Sequence, residues 1–343
     1  MARETFKKVI TSEEKWEEVN SKNKKLMDRF LKEKATRCSA VTIKGYKSDL
    51  KIFFTWNMEE NDDKYFPNIK KLDFSDFFAY GVEELKWGSA RFARMRACLS
   101  SLSDFIIKFY DEEYPAYRNL ILSAIEQMPK EPTRKKTILS EEQVDGLLNH
   151  LMDTGKEQEA CLLALAICSG ARKSELLRFD LDIIDENNTA FDDIFIETKE
   201  QIKTKGRGRE GKPLYKYIIK DLFLPYYNAW LVKRKEIMNA NGVEEHNKLF
   251  IRRDGQPAQT TTIEGWIEKW EKFLDVPFYL HCLRHYTCTY LAKLGVEQEL
   301  IVEIFGWSSA DMFNVYCDLT AKDRKWKGTT KIKEALENRN IDK

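Results

Sequence analysis

The sequence has almost no net charge, only four histidines and no CxxC pair of cysteines. A formal net charge of +1 over 343 residues gives no bulk sign of a nucleic-acid partner, so the placement of basic residues must carry that question. Seven cysteines without a CxxC pair are typical of reduced thiols and argue against a disulfide framework. No apolar run approaches the roughly twenty residues of a membrane span, and the N-terminus is polar. We therefore expect a soluble, cytoplasmic protein with no signal peptide and no membrane association.

The length and the hydrophobic pattern predict two domains, of which the first is helical. The chain is longer than one ordinary domain, and its 43% hydrophobic residues suffice for two cores. Apolar residues recur at three- and four-residue steps over 41–54 and 92–106, as in amphipathic helices. Phe66-Pro67 and Tyr80-Gly81 indicate turns between them. We predict an aromatic-rich helical domain over residues 1–128.

A polar, proline-containing stretch separates this domain from the rest. Residues 129–138 begin with two prolines and five charges, a composition typical of a linker. Ser140 is followed three residues later by Gln143, a capping box that predicts the first helix of a new domain. We place this second domain at residues 139–320, and a polar, basic tail at 321–343.

One segment of the second domain favours strands rather than helices. Residues 193–198 and 214–219 are β-prone. They flank Lys199–Lys212, which contains six basic residues, two acidic residues and three glycines. The pattern predicts a β-hairpin with a positive tip.

The first stretch with chemical potential contains Arg172 and Glu175. An apolar helix ends before Gly170, and a new helix is predicted to begin near Arg172, where backbone N–H groups favour an anion. The guanidinium fork suits two phosphate oxygens. Glu175 lies on the same helical face and could hold the guanidinium in place. A surface salt bridge explains this pair equally well.

A second stretch contains two of the four histidines, His281 and His285. His281 and Arg284 are three residues apart, so on a helix they share a face and can meet one phosphate. A metal site at His281 and His285 is not favoured, because the glutamate of the HExxH motif is absent. We expect His285 to pack rather than to act in catalysis.

The third stretch runs from Gly306-Trp307 to Tyr316, which alone would be taken for one more half-buried tyrosine among fourteen. The order of all these features is more specific. An Arg–x–x–Glu, a basic hairpin, a His–x–x–Arg, a Gly–Trp, and a tyrosine ten residues after that glycine resemble the tyrosine recombinase family, the phage integrases. The resemblance covers residues 139–320.

The resemblance implies a mainly α fold of the α+β class, with a helical-bundle core-binding domain before a mostly helical catalytic domain that carries a small hairpin or sheet. It also implies that Tyr316 attacks a DNA phosphorus to form a 3′-phosphotyrosyl link, without metal or cofactor. Arg172 and Arg284 would offset the transition-state charge, and Trp307 would donate to the phosphate. His281 would bind the phosphate or help to deprotonate the phenol, which ordinarily ionises near pH ~10. Glu175 would support Arg172.

The proton for the leaving 5′-oxygen would come from a hairpin lysine in such an enzyme. Lys199, Lys203 and Lys205 compete for this role. We choose Lys203, because Ile202-Lys203-Thr204 is most similar to the Lys-Thr at the strand end in the family.

The resemblance also implies partners. We expect double-stranded DNA sites, a homotetramer on two duplexes in which the tail contacts a neighbouring protomer, and accessory DNA-bending or directionality proteins. The candidate DNA contacts are basic residues of the first domain, the linker and the hairpin: Lys44, Lys47, Arg91, Arg94, Arg96, Arg134, Lys135, Lys205 and Arg207. Two alternatives stay open, a type IB topoisomerase and a DNA-binding protein without catalysis.

Overall fold

The computed structural model describes residues 10–129, 136–206 and 211–318. The chain divides into two compact units, of which the first comprises residues 1–135 and 205–211 and the second comprises residues 136–204 and 212–343. Most of the predicted linker, 130–135, lies outside the described residues, as does the predicted tail. No helix in the described part of the chain is long and apolar enough to cross a membrane.

The first unit is helical, as predicted. Its helices are α1 (Glu13–Glu18), α2 (Ser21–Ala35), α3 (Ala40–Glu60), α4 (Lys71–Glu83), α5 (Ser89–Phe109) and α6 (Ile121–Ala124). The two apolar stripes of the sequence form α3 and α5. Phe53 lies at the centre of the core, where its ring contacts five other aromatic rings. Such edge and stacked contacts add to the stabilisation by burial.

Two details of the first unit differ from the prediction. Tyr80-Gly81 is not a turn but lies inside α4. Gly81 is used there because a side chain would collide with the indole of Trp87. Val41 begins the apolar stripe of α3, yet its side chain is 82% exposed, because the first turn of that helix extends beyond the core.

The second unit is also mostly helical. Its helices are α7 (Glu141–Asp153), α8 (Glu157–Ser169), α9 (Lys173–Leu176), α10 (Lys220–Ala240), α11 (Thr260–Leu274), α12 (His281–Leu294), α13 (Gln298–Phe305) and α14 (Asp311–Tyr316). The predicted capping box starts α7, where Ser140 Oγ accepts from the Gln143 amide at 3.2 Å. Helix α8 is the centre of the unit: every residue from Glu159 to Ser169 is buried, and α7, α10 and α12 pack against it.

Five short strands interrupt the helices: β1 (Thr189–Ala190), β2 (Phe195–Glu197), β3 (Ile202–Thr204), β4 (Lys212–Leu214) and β5 (Tyr217–Ile219). The predicted hairpin strands pair, since β2 is antiparallel to β5 with Ile196 opposite Ile218, and β1 completes a sheet of order β1-β2-β5. The connection carries a ladder of its own, in which β3 pairs with β4. The mostly α, α+β fold class is confirmed.

Candidate active site

Tyr316 is the last residue of α14 and is only 6% exposed. Its hydroxyl lies 2.8 Å from Nε2 of His281, the first residue of α12. Its ring stacks on the indole of Trp307, with centroids 5.0 Å apart and planes at 21°. The predicted nucleophile is therefore held on one face by Trp307 and at its hydroxyl by His281.

Trp307 can reach this position because the chain reverses at Gly306. This glycine ends α13 with φ of +64°, a left-handed conformation that costs side chains with a Cβ. An added Cβ would also collide with Leu214.

Arg284 lies one turn into α12 and is completely buried. Its Nη1 donates to the Gly170 carbonyl, and its Nη2 donates to the Phe305 carbonyl at 3.3 Å. The guanidinium therefore bridges the carboxyl ends of α8 and α13, where a cation is favoured. Its Cζ lies 5.3 Å from the ring centroid of Tyr316. Burial, with the nearby charge of Arg172, lowers the pKa of Arg284 to about 10, so it stays charged at neutral pH.

Two buried donors beside Tyr316 have no partner within the described residues. They are Nε of Arg284 and Nε1 of Trp307, and the guanidinium Cζ lies 5.3 Å from the Trp307 ring centroid. Leaving buried N–H groups unbonded costs about 1–3 kcal/mol each, so such groups call for an explanation. Both N–H groups therefore lack an acceptor among the described residues.

Arg172 precedes α9 and forms an ion pair with Glu175 as predicted. Its Nη1 lies 2.8 Å from Oε1, and its backbone N–H donates to Oε2 at 3.1 Å. The side chain of Arg172 is 23% exposed whereas Glu175 is completely buried. The carboxylate fixes the base of the arginine, and the guanidinium keeps an open side.

Lys216, which the sequence analysis did not single out, completes this cluster. Its Nζ lies 3.4 Å from Oε2 of Glu175, and its side chain is 1% exposed. Burial lowers the pKa of Lys216 to about 8, against the attraction of Glu175 and together with repulsion from Arg284 and Arg172. Burial alone would raise the pKa of Glu175, but Lys216 and the Arg172 hydrogen bonds outweigh it and lower that pKa.

The three hairpin lysines lie differently. Lys203 is exposed on β3, and its backbone carbonyl accepts a bond from Arg178. Lys199 forms an ion pair with Asp185 at 2.7 Å. Lys205 is exposed. The choice among these three stays a prediction.

His285 is buried, as expected, with its ring centroid 4.7 Å from that of Tyr316. Its Nδ1 lies 3.2 Å from the Tyr316 carbonyl and 3.1 Å from Oδ2 of Asp318. Burial lowers the pKa of His285 against the attraction of Asp318. The side chain therefore supports the Tyr316 segment from behind.

Comparison with known protein families identifies the family of this chain. The phage integrase family matches residues 137–323, which is more than half of the chain. This chain belongs to the phage integrase family. It is accordingly a tyrosine-type site-specific DNA recombinase.

Individual relatives of this recombinase agree. The SPbeta prophage-derived recombinase-like protein YomM of Bacillus subtilis strain 168 is 28% identical over 265 residues, 75% of this chain and 73% of that protein. Tyrosine recombinase XerC of Corynebacterium glutamicum is 24% identical over 291 residues, 83% of each chain. The fold is shared with the Tn1549 transposon integrase, solved in complex with circular intermediate DNA, at a TM-score of 0.63 and 16% identity over 88% of this chain and 97% of that one.

The basic residues predicted to contact DNA in the first unit fall into two groups. Lys44 and Lys47 are exposed on α3. The arginines of α5 have protein partners. Arg91 and Arg94 pair with the buried Asp49, although Arg94 keeps 58% exposure, and Arg96 donates to the carbonyls of residues 125 and 122 at 2.6 and 3.2 Å. Three further candidates lie outside the described residues: Arg134, Lys135 and Arg207.

Proposed function

We propose that this recombinase cuts and rejoins DNA through a 3′-phosphotyrosyl link on Tyr316. The observation that carries the proposal is the placement of the Tyr316 ring against Arg284 and Trp307, each of which has a buried N–H donor without a partner among the described residues. A phosphate oxygen supplies what those donors lack. The second arginine, Arg172, lies near enough to Arg284 for its charge to lower the pKa of Arg284, and its side chain is partly exposed.

The proposed step is a displacement at phosphorus. The Tyr316 oxygen forms a bond to phosphorus, the bond to the 5′-oxygen breaks, and the phosphotyrosyl link keeps the energy for resealing without ATP. His281 accepts the phenol proton at Nε2 in its Nδ1–H tautomer. The two guanidinium groups and the indole N–H balance the charge that develops on the phosphate oxygens.

The leaving 5′-oxygen takes a proton from a lysine, for which we keep Lys203. Its side chain is exposed, where a DNA strand can approach. Lys216 is repelled electrostatically by Arg284 and Arg172, but its side chain is buried against Glu175. We therefore assign Lys216 to the support of Arg172 through that carboxylate.

The assembly follows from the chemistry. Exchange between two duplexes requires cleavage of each of their strands, and each protomer offers one Tyr316, so we propose a homotetramer on two paired sites. The predicted first domain, residues 1–128, clamps the duplex, and the tail at 321–343 contacts a neighbouring protomer. A prophage-derived relative and a transposon integrase with circular intermediate DNA favour service to a phage or mobile element. Accessory DNA-bending or directionality proteins belong to the same proposal.

The test first requires DNA substrates, which are selected by their binding to the protein. The Tyr316→Phe variant, which has no nucleophile, enriches duplexes from a random double-stranded library. These duplexes, nicked so that the cleaved end diffuses away, are then incubated with wild type, Tyr316→Phe and Tyr290→Phe. Tyr290 is a partly buried tyrosine of α12 that stacks on Tyr286, so Tyr290→Phe controls for loss of a phenol elsewhere in the unit.

We expect wild type and Tyr290→Phe to become covalently attached to DNA, and Tyr316→Phe to bind without attachment. If none of the three is ever attached, the protein binds DNA without catalysis and the proposal fails. Products that join two duplexes support recombination. Relaxation of one supercoiled plasmid without exchange points to a topoisomerase.

A further inference from the structure

The segment that carries Tyr316 is also held by a second network of contacts, which does not include His281, Arg284 or Trp307. Asp318 is the centre of this network, and its side chain is 8% exposed. One carboxylate oxygen lies 3.1 Å from Nδ1 of His285, and the other lies 3.3 Å from Nζ of Lys136. The Asp318 amide donates to Oγ1 of Thr289 at 2.9 Å.

Lys136 binds this segment twice. Its Nζ also donates to the Val315 carbonyl at 2.7 Å, so one ammonium group contacts the residue before Tyr316 and the residue two positions after it. A cation at the end of α14 satisfies carbonyls that have no partner within the helix. Lys136 therefore binds residues on both sides of Tyr316 in the sequence.

His285 links the network to the phenol ring. Its Nδ1 faces two acceptors, the Tyr316 carbonyl and Asp318, so Nδ1 carries the hydrogen. Its ring contacts the Tyr316 ring at 4.7 Å between centroids. Asp318 thus fixes the orientation of the imidazole on which Tyr316 rests.

We propose that Lys136 and Asp318 are positioning residues that hold the segment carrying Tyr316 in place for cleavage. Lys136 is the first described residue of the second unit, so the cation that holds the tyrosine segment comes from the beginning of that unit, whereas Tyr316 lies near the end of its described part. The inference rests on the proposed function of Tyr316. Reacting groups lose about a hundredfold in rate when misplaced by about 1 Å, so a clamp of this kind controls cleavage without touching DNA.

The alternative is that Lys136 and Asp318 form an ordinary surface ion pair, which typically contributes about 0–1 kcal/mol to the free energy of unfolding. The Lys136 side chain is 46% exposed, so its exposure alone does not distinguish a positioning contact from a surface ion pair. Lys136 also binds the Val315 carbonyl, and its partner Asp318 is buried. We therefore expect loss of Lys136 to loosen the segment that carries Tyr316, whereas loss of a surface ion pair would not. A dynamic readout and a kinetic readout together decide between them.

The experiment compares Lys136→Met, Lys136→Arg and Lys293→Met with wild type. Lys293 is the matched control, an exposed lysine of the same unit that pairs with Glu141 at 3.2 Å. Amide hydrogen exchange over residues 311–318 is measured in the free protein. DNA affinity is measured in a Tyr316→Phe background with the enriched duplexes, and the rate of covalent attachment is measured at saturating DNA.

We expect Lys136→Met to raise exchange over 311–318 and to slow attachment by about ten- to a hundredfold, with DNA affinity unchanged. Lys136→Arg should restore both, and Lys293→Met should match wild type. The proposal is overturned if Lys136→Met behaves as Lys293→Met does, if exchange rises while attachment is unaffected, or if the loss lies in affinity alone.

Failure of the proposed function gives a different pattern. Wild type would then never become attached to DNA, and the positioning proposal would fall with it. Exchange over 311–318 would still respond to Lys136→Met if the contacts exist, which would locate the error in the chemistry assigned to Tyr316 rather than in the clamp.

Discussion

The hydroxyl of Tyr316 and Nε2 of His281 lie 2.8 Å apart, although thirty-five positions separate them in the chain. The contact joins the end of α14 to the beginning of α12. Arg284 follows one turn after His281, so the same helix supplies the imidazole and the guanidinium. The proposed chemistry therefore depends on how α12 and α14 pack.

Arg284 and Arg172 should respond differently to truncation. Arg284→Ala removes a buried cation from two carbonyls, so we expect the free energy of unfolding to fall by about 3 kcal/mol. Arg172→Ala breaks a partly exposed pair and leaves Glu175 with Lys216, so a loss nearer about 1 kcal/mol is expected. Urea unfolding measures both, and covalent attachment should be lost in both. Equal unfolding midpoints for Arg284→Ala and wild type would contradict the bridging contacts.

Lys216 should give cleavage an alkaline limit. Its pKa of about 8 means that the charge facing Glu175, Arg172 and Arg284 is lost as pH rises through that value. We expect the attachment rate to fall there, and we expect Lys216→Arg to remove that fall because arginine stays charged. The pH profile of attachment by the two proteins is the measurement.

The same residue predicts a trend in stability. Because the folded-state pKa of Lys216 lies below its usual 10.5, the unfolded chain binds more protons between about pH 8 and 10.5. The contribution of Lys216 to the free energy of unfolding therefore rises with pH over that range. If the attachment rate of Lys216→Arg still falls at alkaline pH, a group other than Lys216 causes the fall.

Gly306 should matter more than another glycine of the same backbone type. Gly306→Ala and Gly295→Ala both force a Cβ into a left-handed position at a helix end, at a cost of about 1–2 kcal/mol. Gly295 has open space around it, whereas Gly306 abuts Leu214 and sets Trp307 against Tyr316. We expect only Gly306→Ala to reduce attachment at a temperature where both proteins are folded. Equal attachment by the two variants would show that the turn does not position Trp307.

Basic residues of the first unit should separate into binding and structural groups. Lys44→Ala should leave the melting temperature unchanged, weaken DNA binding, and reduce the salt slope of the affinity by about 1. Arg96→Ala should lower the melting temperature, because two carbonyls near α6 lose their donor. Thermal melts and salt titrations of both variants check this. A normal melt for Arg96→Ala with weakened binding would reverse the assignment.

Much of the fold and of the site could be predicted from sequence, for a physical reason. Helical periodicity is local, so α3, α5 and the capped start of α7 could be placed from neighbouring residues alone. The residues that carry chemistry stand in short motifs around Arg172, His281 and Tyr316. Their meeting in one pocket could not be derived locally and came from the order of the motifs.

The missed residues share a different cause. Lys216 is one of many basic residues near the hairpin, and only the strand register, with Thr198 and Lys216 hydrogen-bonded to each other, turns its side chain inward. Asp318 belongs to no recognisable sequence motif, so only the tertiary contacts to His285 and Lys136 identify it. Tyr80-Gly81 was misread because a glycine needed for close packing looks the same in sequence as one needed for a turn.

The most direct test of the account is to identify the atom that bears the DNA. Wild-type protein trapped on a nicked, enriched duplex would be digested with protease and nuclease, and the remaining nucleotide adduct located by peptide mass spectrometry. We predict a 3′-phosphonucleotide on the Tyr316 oxygen and on no other residue. An adduct on Tyr290, Tyr286 or a serine, or a 5′-phosphate linkage at Tyr316, would contradict the proposed mechanism.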